Sequence, residues 1–422
     1  FSYCIEFGFL IMKPSRTHSR FKSVKRASLL LLLLCAVVPV FFAQVPQGPK
    51  QQRPRRVAGA ANQPPAAKDP QGSPSEEVDE GDVVRVETQL VSVPAVITNS
   101  LGRPVMGLRP ENFVVYEDGQ PQSLANFGTT EAPFEIALLL DTSGSTREDV
   151  ALIRQAANSF INALRPRDRV AIAAFNTERK GTAQIATVEV LSPLTGDRKL
   201  LQTAIEHLGT ANGTPFYDGL ERILREVFRD PAPAESRGRR AVVALTDGVD
   251  STSQTDFAAV RAKLIASGVA SYFIQVNTED FVEDRLLKDC EDDGRLSLSA
   301  KQLQRYRVIF VPRAKSDDFS NFCQMGPFER MQISRDLYNL ARREMNELAQ
   351  VSGGRNFVAA TLQDARAAFA QVANEIGTQY SLGYYPTNKV RDGKLRLIRV
   401  EVRGVPVKTQ VRSRDSYVAP KG

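Results

Sequence analysis

Between residues 134 and 376, short unbroken apolar runs alternate with stretches of helical periodicity, and that alternation limits the chain to an α/β architecture. The runs "FEIALLLD" (134–141), "DRVAIAAF" (168–175), "RRAVVALTDG" (239–248) and "ASYFIQVN" (270–277) have almost no polar residue in alternation. Strands of this kind must be covered on both faces, which predicts a mostly parallel central sheet with helices on either side. The intervening segments read as helices. In 147–166, Val150, Ile153, Ala157, Phe160, Ile161 and Leu164 recur at helical spacing. Further helices are expected in 197–208, 215–228, 256–268, 334–354 and 361–380, with strands at "TVEVLSPL" (187–194) and "RNFVAA" (355–360).

On either side of this body the grammar is different. "VVRVETQLVSVPAVITN" (83–99) and "NFVVYEDGQPQSLANF" (112–127) precede it, and "YSLGYYP", "KLRLIRVEVRG" and "VKTQVRSRDSYVAP" follow it, as short strands between turn signals. Strands that are short and individually marginal are expected to pair, so 83–133 and 377–422 should form one small antiparallel β unit beside the body. Within the body, 279–328 interrupts the pattern with "KDCEDDG" and a strand-like "RYRVIFVP".

The N-terminus carries a different signal. Translation is expected to start at Met12, after which six basic residues are followed by "ASLLLLLLCAVVPVFFA", ending at Ala43. A basic stretch, then a greasy one, then a small residue reads as an export signal, so the protein should be periplasmic, cell-surface or extracellular. An uncleaved signal anchor is the alternative, and membrane contact is expected only in that case. Residues 44–82 contain seven prolines and no aromatic residue and read as a flexible tether. Of the formal charge of +7, residues 1–43 hold +5, so only +2 remains on the rest and no nucleic-acid partner is expected. Export also leaves Cys290 and Cys323 as the mature cysteines, expected to form a disulfide.

The chemistry gathers where the strands end. "DTSGS" sets Asp141, Ser143 and Ser145 at alternate positions as the first strand exits. "NGTPFYDGL" puts Thr214 in a loop opening a helix, and "VVALTDG" puts Asp247 at another strand exit. In a parallel sheet these exits share one edge. Carboxylates with hydroxyls form a hard-oxygen set suited to Mg²⁺, Mn²⁺ or Ca²⁺ and poor for zinc or copper. Taken singly, Ser143, Ser145 or Thr146 also reads as a cap of the following helix, Thr214 as an N-cap and Asp247 as a turn residue.

The five positions together resemble the metal-ion-dependent adhesion site of the von Willebrand factor type A domain: Asp-x-Ser-x-Ser, then a loop Thr, then Asp-Gly. The flanking β segments look like those of exported von Willebrand factor type A-related proteins of acidobacteria. The resemblance covers about 134–376 and implies a Rossmann-like fold with Asp141, Ser143, Ser145, Thr214 and Asp247 around a divalent cation. It also implies that an exposed Asp or Glu of a protein partner completes the coordination, so binding rather than turnover is expected.

Enzyme readings fare poorly on the residues alone. A dehalogenase-like phosphotransferase needs an Asp where Ser143 stands, and the only histidine after the signal, His207, lies in a helix with no serine-hydrolase motif nearby. Zinc catalysis lacks ligands. The other reading left open is a structural envelope protein whose ion only stabilises the fold. Phe216 and Tyr217, beside Thr214, are candidates for a partner-facing rim, with packing of these helix residues into the core an equally good reading for Phe216.

Overall fold

The computed structural model describes residues 90–129, 131–144, 149–236, 238–279, 282–283, 298–319 and 321–421. The expected export signal and the 44–82 tether lie outside these residues, as do Ser145 and Cys290.

Four strands come first: β1 (Val91–Asn99), β2 (Phe113–Glu117), β3 (Gln120–Gln122) and β4 (Leu124–Gly128). The body follows as β5 (Glu135–Leu140), α1 (Val150–Ala163), β6 (Arg169–Lys180), β7 (Ala183–Thr195), α2 (Arg198–Glu206), α3 (Phe216–Arg222), β8 (Arg240–Thr246), α4 (Phe257–Ser267) and β9 (Ala270–Val276). After the interruption come α5 (Ala300–Phe310), α6 (Pro327–Ser352), β10 (Arg355–Ala359) and α7 (Ala365–Thr378). The chain closes with β11 (Tyr380–Tyr384), β12 (Leu395–Val402), β13 (Thr409–Ser413) and β14 (Ser416–Val418).

The central sheet has six strands in the order β10-β9-β8-β5-β6-β7, parallel except for the β6–β7 hairpin at one edge. Its strands read as continuous apolar runs because alternate residues feed two different cores. Ile136, Leu138 and Leu140 pack with Phe160 of α1, Ile205 of α2 and Phe369 of α7, while Ala137 and Leu139 pack with Leu220 of α3, Leu264 of α4 and Leu348 of α6. A side chain that alternates across the strand therefore finds hydrocarbon on both sides, and a polar residue there needs a partner, as buried Glu135 has in Arg169 and Arg240.

The flanking strands pair across the body as expected, as two sheets that share one core. β1 lies between β11 and β13 in the order β13-β1-β11-β4, and β2 pairs with β12 in the order β14-β12-β2-β3. Val93, Ile97, Phe113, Val115, Leu382 and Val400 fill the space between them. One arginine ties this unit to the body, and a second ties the chain before β5 to α7. Arg412 of β13 donates to the Gly353 and Gly354 carbonyls and to Glu375 of α7. Arg239, fully buried, donates to the Ala132 and Ile376 carbonyls with its guanidinium 4.6 Å above the Phe134 ring.

One element differs in kind from its sequence reading. "RYRVIFVP" is the end of helix α5, not a strand. The β-branched and aromatic residues suggest extended chain, but Ser299 and Gln302 form a reciprocal capping box and Leu303, Tyr306 and Phe310 follow at helical spacing, with the Tyr306 and Phe310 rings stacked at 5.0 Å. α6 also begins at Pro327 rather than near Ser334, with proline in its first turn and Gly353, at φ 81°, ending it in the left-handed region.

Directly after that cap, β10 approaches β9 so closely that a Cβ on Gly354 would lie 1.9 Å from the Ser271 carbonyl oxygen. Backbone cannot yield as a side chain does. Gly354→Ala should therefore destabilise the protein by about 1–3 kcal/mol in urea unfolding; an unchanged midpoint would show that the strands separate without cost.

Candidate functional site

Because β5, β8 and β9 are parallel, the residues leaving their C-terminal ends meet on one edge. The Asp141 N–H still donates to the Leu245 carbonyl at 3.0 Å, which carries the β5–β8 ladder one residue past the strand and fixes where Asp141 sits. From there the chain turns out of the sheet, with the Thr142 hydroxyl anchored on the Phe175 carbonyl (2.8 Å) and the Thr142 carbonyl on the Ala211 N–H (2.9 Å).

Asp141, Ser143, Thr214 and Asp247 are all buried at this edge. Asp141 Oδ1 accepts from the Ser143 N–H (2.9 Å), and Oδ2 accepts from the Thr246 hydroxyl (2.6 Å). Asp247 Oδ1 accepts from the Val249 N–H (3.0 Å), and Oδ2 accepts from the Thr278 hydroxyl (2.8 Å). Thr214 is held by its backbone: its N–H donates to Ser251 Oγ at 2.8 Å, and its carbonyl accepts the Ser251 N–H at 3.0 Å, so the Thr214 loop and the loop after Asp247 are laced together. Gly213, at φ 138°, lets the first loop approach the second, since a Cβ there would stand 2.7 Å from Thr252 Cγ2.

The electrostatics follow from this geometry. Burial, with the negative charge of Asp247 adding to it, pushes the Asp141 carboxyl up to about 7, against the pull of its hydrogen bonds from Ser143 and Thr246. Two carboxylates in one buried place repel, and a cation between them removes the repulsion. Among the described residues no group of three or more His, Cys, Asp and Glu side chains is placed to hold a metal, so an ion at this edge needs hydroxyl and water oxygens beside Asp141 and Asp247. Ser143 and Thr214 supply hydroxyls of the kind that Mg²⁺ accepts.

A third carboxylate, Asp250, is buried in the loop that follows Asp247. It accepts from the Tyr217 N–H (3.2 Å) and from Ser253, and burial pushes it up to about 6. Its neighbour Asp218 accepts the Gln254 and Thr255 N–H groups, both at 2.8 Å. These contacts bind the first turn of α3 to the loop that follows Asp247.

Phe216 and Tyr217 do not form a rim. They are 1% and 3% exposed and lie in the core between the sheet and α3, Phe216 edge-on to Phe273 at 5.6 Å. The Tyr217 hydroxyl donates to Glu344 (2.6 Å) and accepts from Arg305 (3.0 Å), so its polar end points inward as well. A helix that begins right after the Thr214 loop must turn its first apolar residues towards the sheet. Cys323 is disulfide-bonded, and the other three cysteines lie outside the described residues.

Sequence reasoning did not single out Thr246, Ser251, Thr278 or Tyr338. Thr246 and Thr278 had a usable signal, being hydroxyls at the exits of β8 and β9 on the edge already identified. Tyr338 had none.

Residues 135–301 match the family model for the von Willebrand factor type A domain. No curated protein matches the chain. Among solved structures, the chain is similar to a von Willebrand factor type A protein from Catenulispora acidiphila, with 13% identity over 79% of this chain and 75% of that one and a TM-score of 0.37. The von Willebrand factor domain of a type V pili tip protein from Porphyromonas gingivalis matches at 13% identity over 58% of this chain and 95% of that one, with a TM-score of 0.31. Proximal thread matrix protein 1 from the mussel byssus matches at 12% identity and a TM-score of 0.35 over 58% of this chain, which spans about half (48%) of the mussel protein. The α/β body of this chain has the Rossmann-like fold of a von Willebrand factor type A domain, with the family match running over residues 135–301.

Proposed function

We propose that the protein is an exported, divalent-cation-dependent protein-binding module of the adhesion or assembly kind. Asp141, Ser143, Ser145, Thr214 and Asp247 hold Mg²⁺ or Mn²⁺, directly or through water, and an Asp or Glu of the partner completes the coordination. The observation that carries this reading is the burial of Asp141 and Asp247 together at adjacent strand exits, backed by amide and hydroxyl donors that orient both carboxylates. Hydroxyl ligands are neutral, so the ion keeps net positive charge towards an incoming carboxylate. Nothing in this chemistry calls for turnover: the edge offers an ion and oriented oxygens, and the role assigned to it is ligation. Export follows from the basic and apolar stretch of residues 12–43.

The depth of the donors favours a second reading. Asp141 is 1% and Asp247 3% exposed, as suits an ion that only braces the loops of an envelope protein. The two readings agree on cation binding and part on the partner.

Titrating Mg²⁺ should raise the melting temperature, by an amount equivalent to about 2.7 kcal/mol at a hundredfold excess over Kd, and Asp141→Ala should abolish the rise. A rise of equal size in the variant would remove Asp141 from the site. For the partner, capture from an envelope extract onto immobilised protein should be released by chelator and absent with Asp141→Ala. Cation binding without chelator-sensitive capture would favour the bracing role.

A further inference from the structure

Behind each of the two carboxylates stands a hydroxyl whose own proton is directed at it. Behind Asp141, the Gly248 N–H donates to Thr246 Oγ1 (2.9 Å), and Thr246 donates to Asp141 Oδ2. Behind Asp247, Thr278 donates to Oδ2, and the Thr278 oxygen lies 2.6 Å from the Tyr338 hydroxyl. A threonine hydroxyl has one proton. With that proton on Asp247, the contact to Tyr338 can only be donated by the tyrosine, and the relay runs from Tyr338 to Thr278 to Asp247. All three residues are buried, so water does not compete for these bonds.

Tyr338 stands on α6, and the loop carrying Asp247 lies flat against that helix. Gly248, at φ 77°, faces Met345 so closely that a Cβ would fall 2.1 Å from its sulfur. The ring of Tyr338 belongs to a small separate core made by the interrupting segment: Leu303 and Tyr306 of α5, Phe322, Met325, and Ile333 and Leu337 of α6. Tyr338 thus has its ring in the core of the interrupting segment and its hydroxyl one residue away from Asp247. The same segment touches the Thr214 side of the edge, where Ser299 Oγ donates to the Ser251 carbonyl (2.7 Å).

We propose that Tyr338 is a positioning residue for the ion site: acting through Thr278, it orients Asp247 towards a divalent cation and links cation affinity to the seating of α6 and of the segment at 298–326. This rests on the cation reading given above. Donors one step behind a ligand fix its rotamer, and their loss weakens metal binding without removing any ligand.

The test is Mn²⁺ titration of the full chain, followed by calorimetry and by the electron paramagnetic resonance of free Mn²⁺. Tyr338→Phe and Thr278→Val should each weaken binding about tenfold, the double variant no further than Thr278→Val alone, and Thr278→Ser should bind as the wild type does. Tyr306→Phe is the control, since it removes a hydroxyl from the same small core, bonded to Asp336 at 3.3 Å and not to the edge, and should leave affinity unchanged. Melting in chelator checks that each variant is folded. Wild-type affinity in Tyr338→Phe, or a further loss in the double variant, overturns the relay while the cation site stands. A wild-type protein that takes up no Mn²⁺ overturns both.

Discussion

Two carboxylates buried within reach of each other's charge set the terms for the upper edge of this protein. Asp141 and Asp247 are brought there by the parallel pairing of β5 with β8, which aligns their C-terminal ends and leaves no freedom to move the acids apart. Amide and hydroxyl donors on Asp141 lower the cost of its charge but do not cancel it, for burial and Asp247 together still raise the Asp141 carboxyl. A sheet edge arranged this way is suited to a cation, and the surrounding loops are bonded to one another rather than left to solvent.

What fixes those loops is distributed over the molecule. Ser251 joins the Thr214 loop to the loop after Asp247, Asp250 and Asp218 join that loop to α3, and α6 backs it through Met345 and Tyr338. The interrupting segment is therefore part of the site's support. Its own core holds the ring of Tyr338, whose hydroxyl lies 2.6 Å from the Thr278 oxygen that donates to Asp247. The β unit plays a different part, joined to the body by Arg412, which donates to the Gly353 and Gly354 carbonyls just before β10.

The body was legible because doubly covered strands must be apolar at both parities, and "FEIALLLD" or "ASYFIQVN" can hardly be anything else. The acids and hydroxyls at the exits were legible for the same reason: once the strands are placed, their ends share an edge. Other features were not. "RYRVIFVP" has strand-like composition, and its helix depends on a cap at Ser299 and on packing against α6. Phe216 and Tyr217 lie next to Thr214 in sequence, yet the first turn of α3 directs them into the core. The residues behind the acids are remote, Thr278 being 31 positions from Asp247 and Tyr338 another 60 from Thr278, and no local pattern links them.

The central claim, that Asp141 and Asp247 share a divalent ion, is tested most directly by anomalous diffraction from a crystal soaked in Mn²⁺. The account predicts one strong manganese peak at the edge, bonded to the Asp141 carboxylate and the Ser143 hydroxyl, with Asp247 in the coordination sphere directly or through water. Well-ordered carboxylates with no manganese between them, at Mn²⁺ concentrations that occupy a known Mn²⁺ protein in a parallel soak, would contradict it.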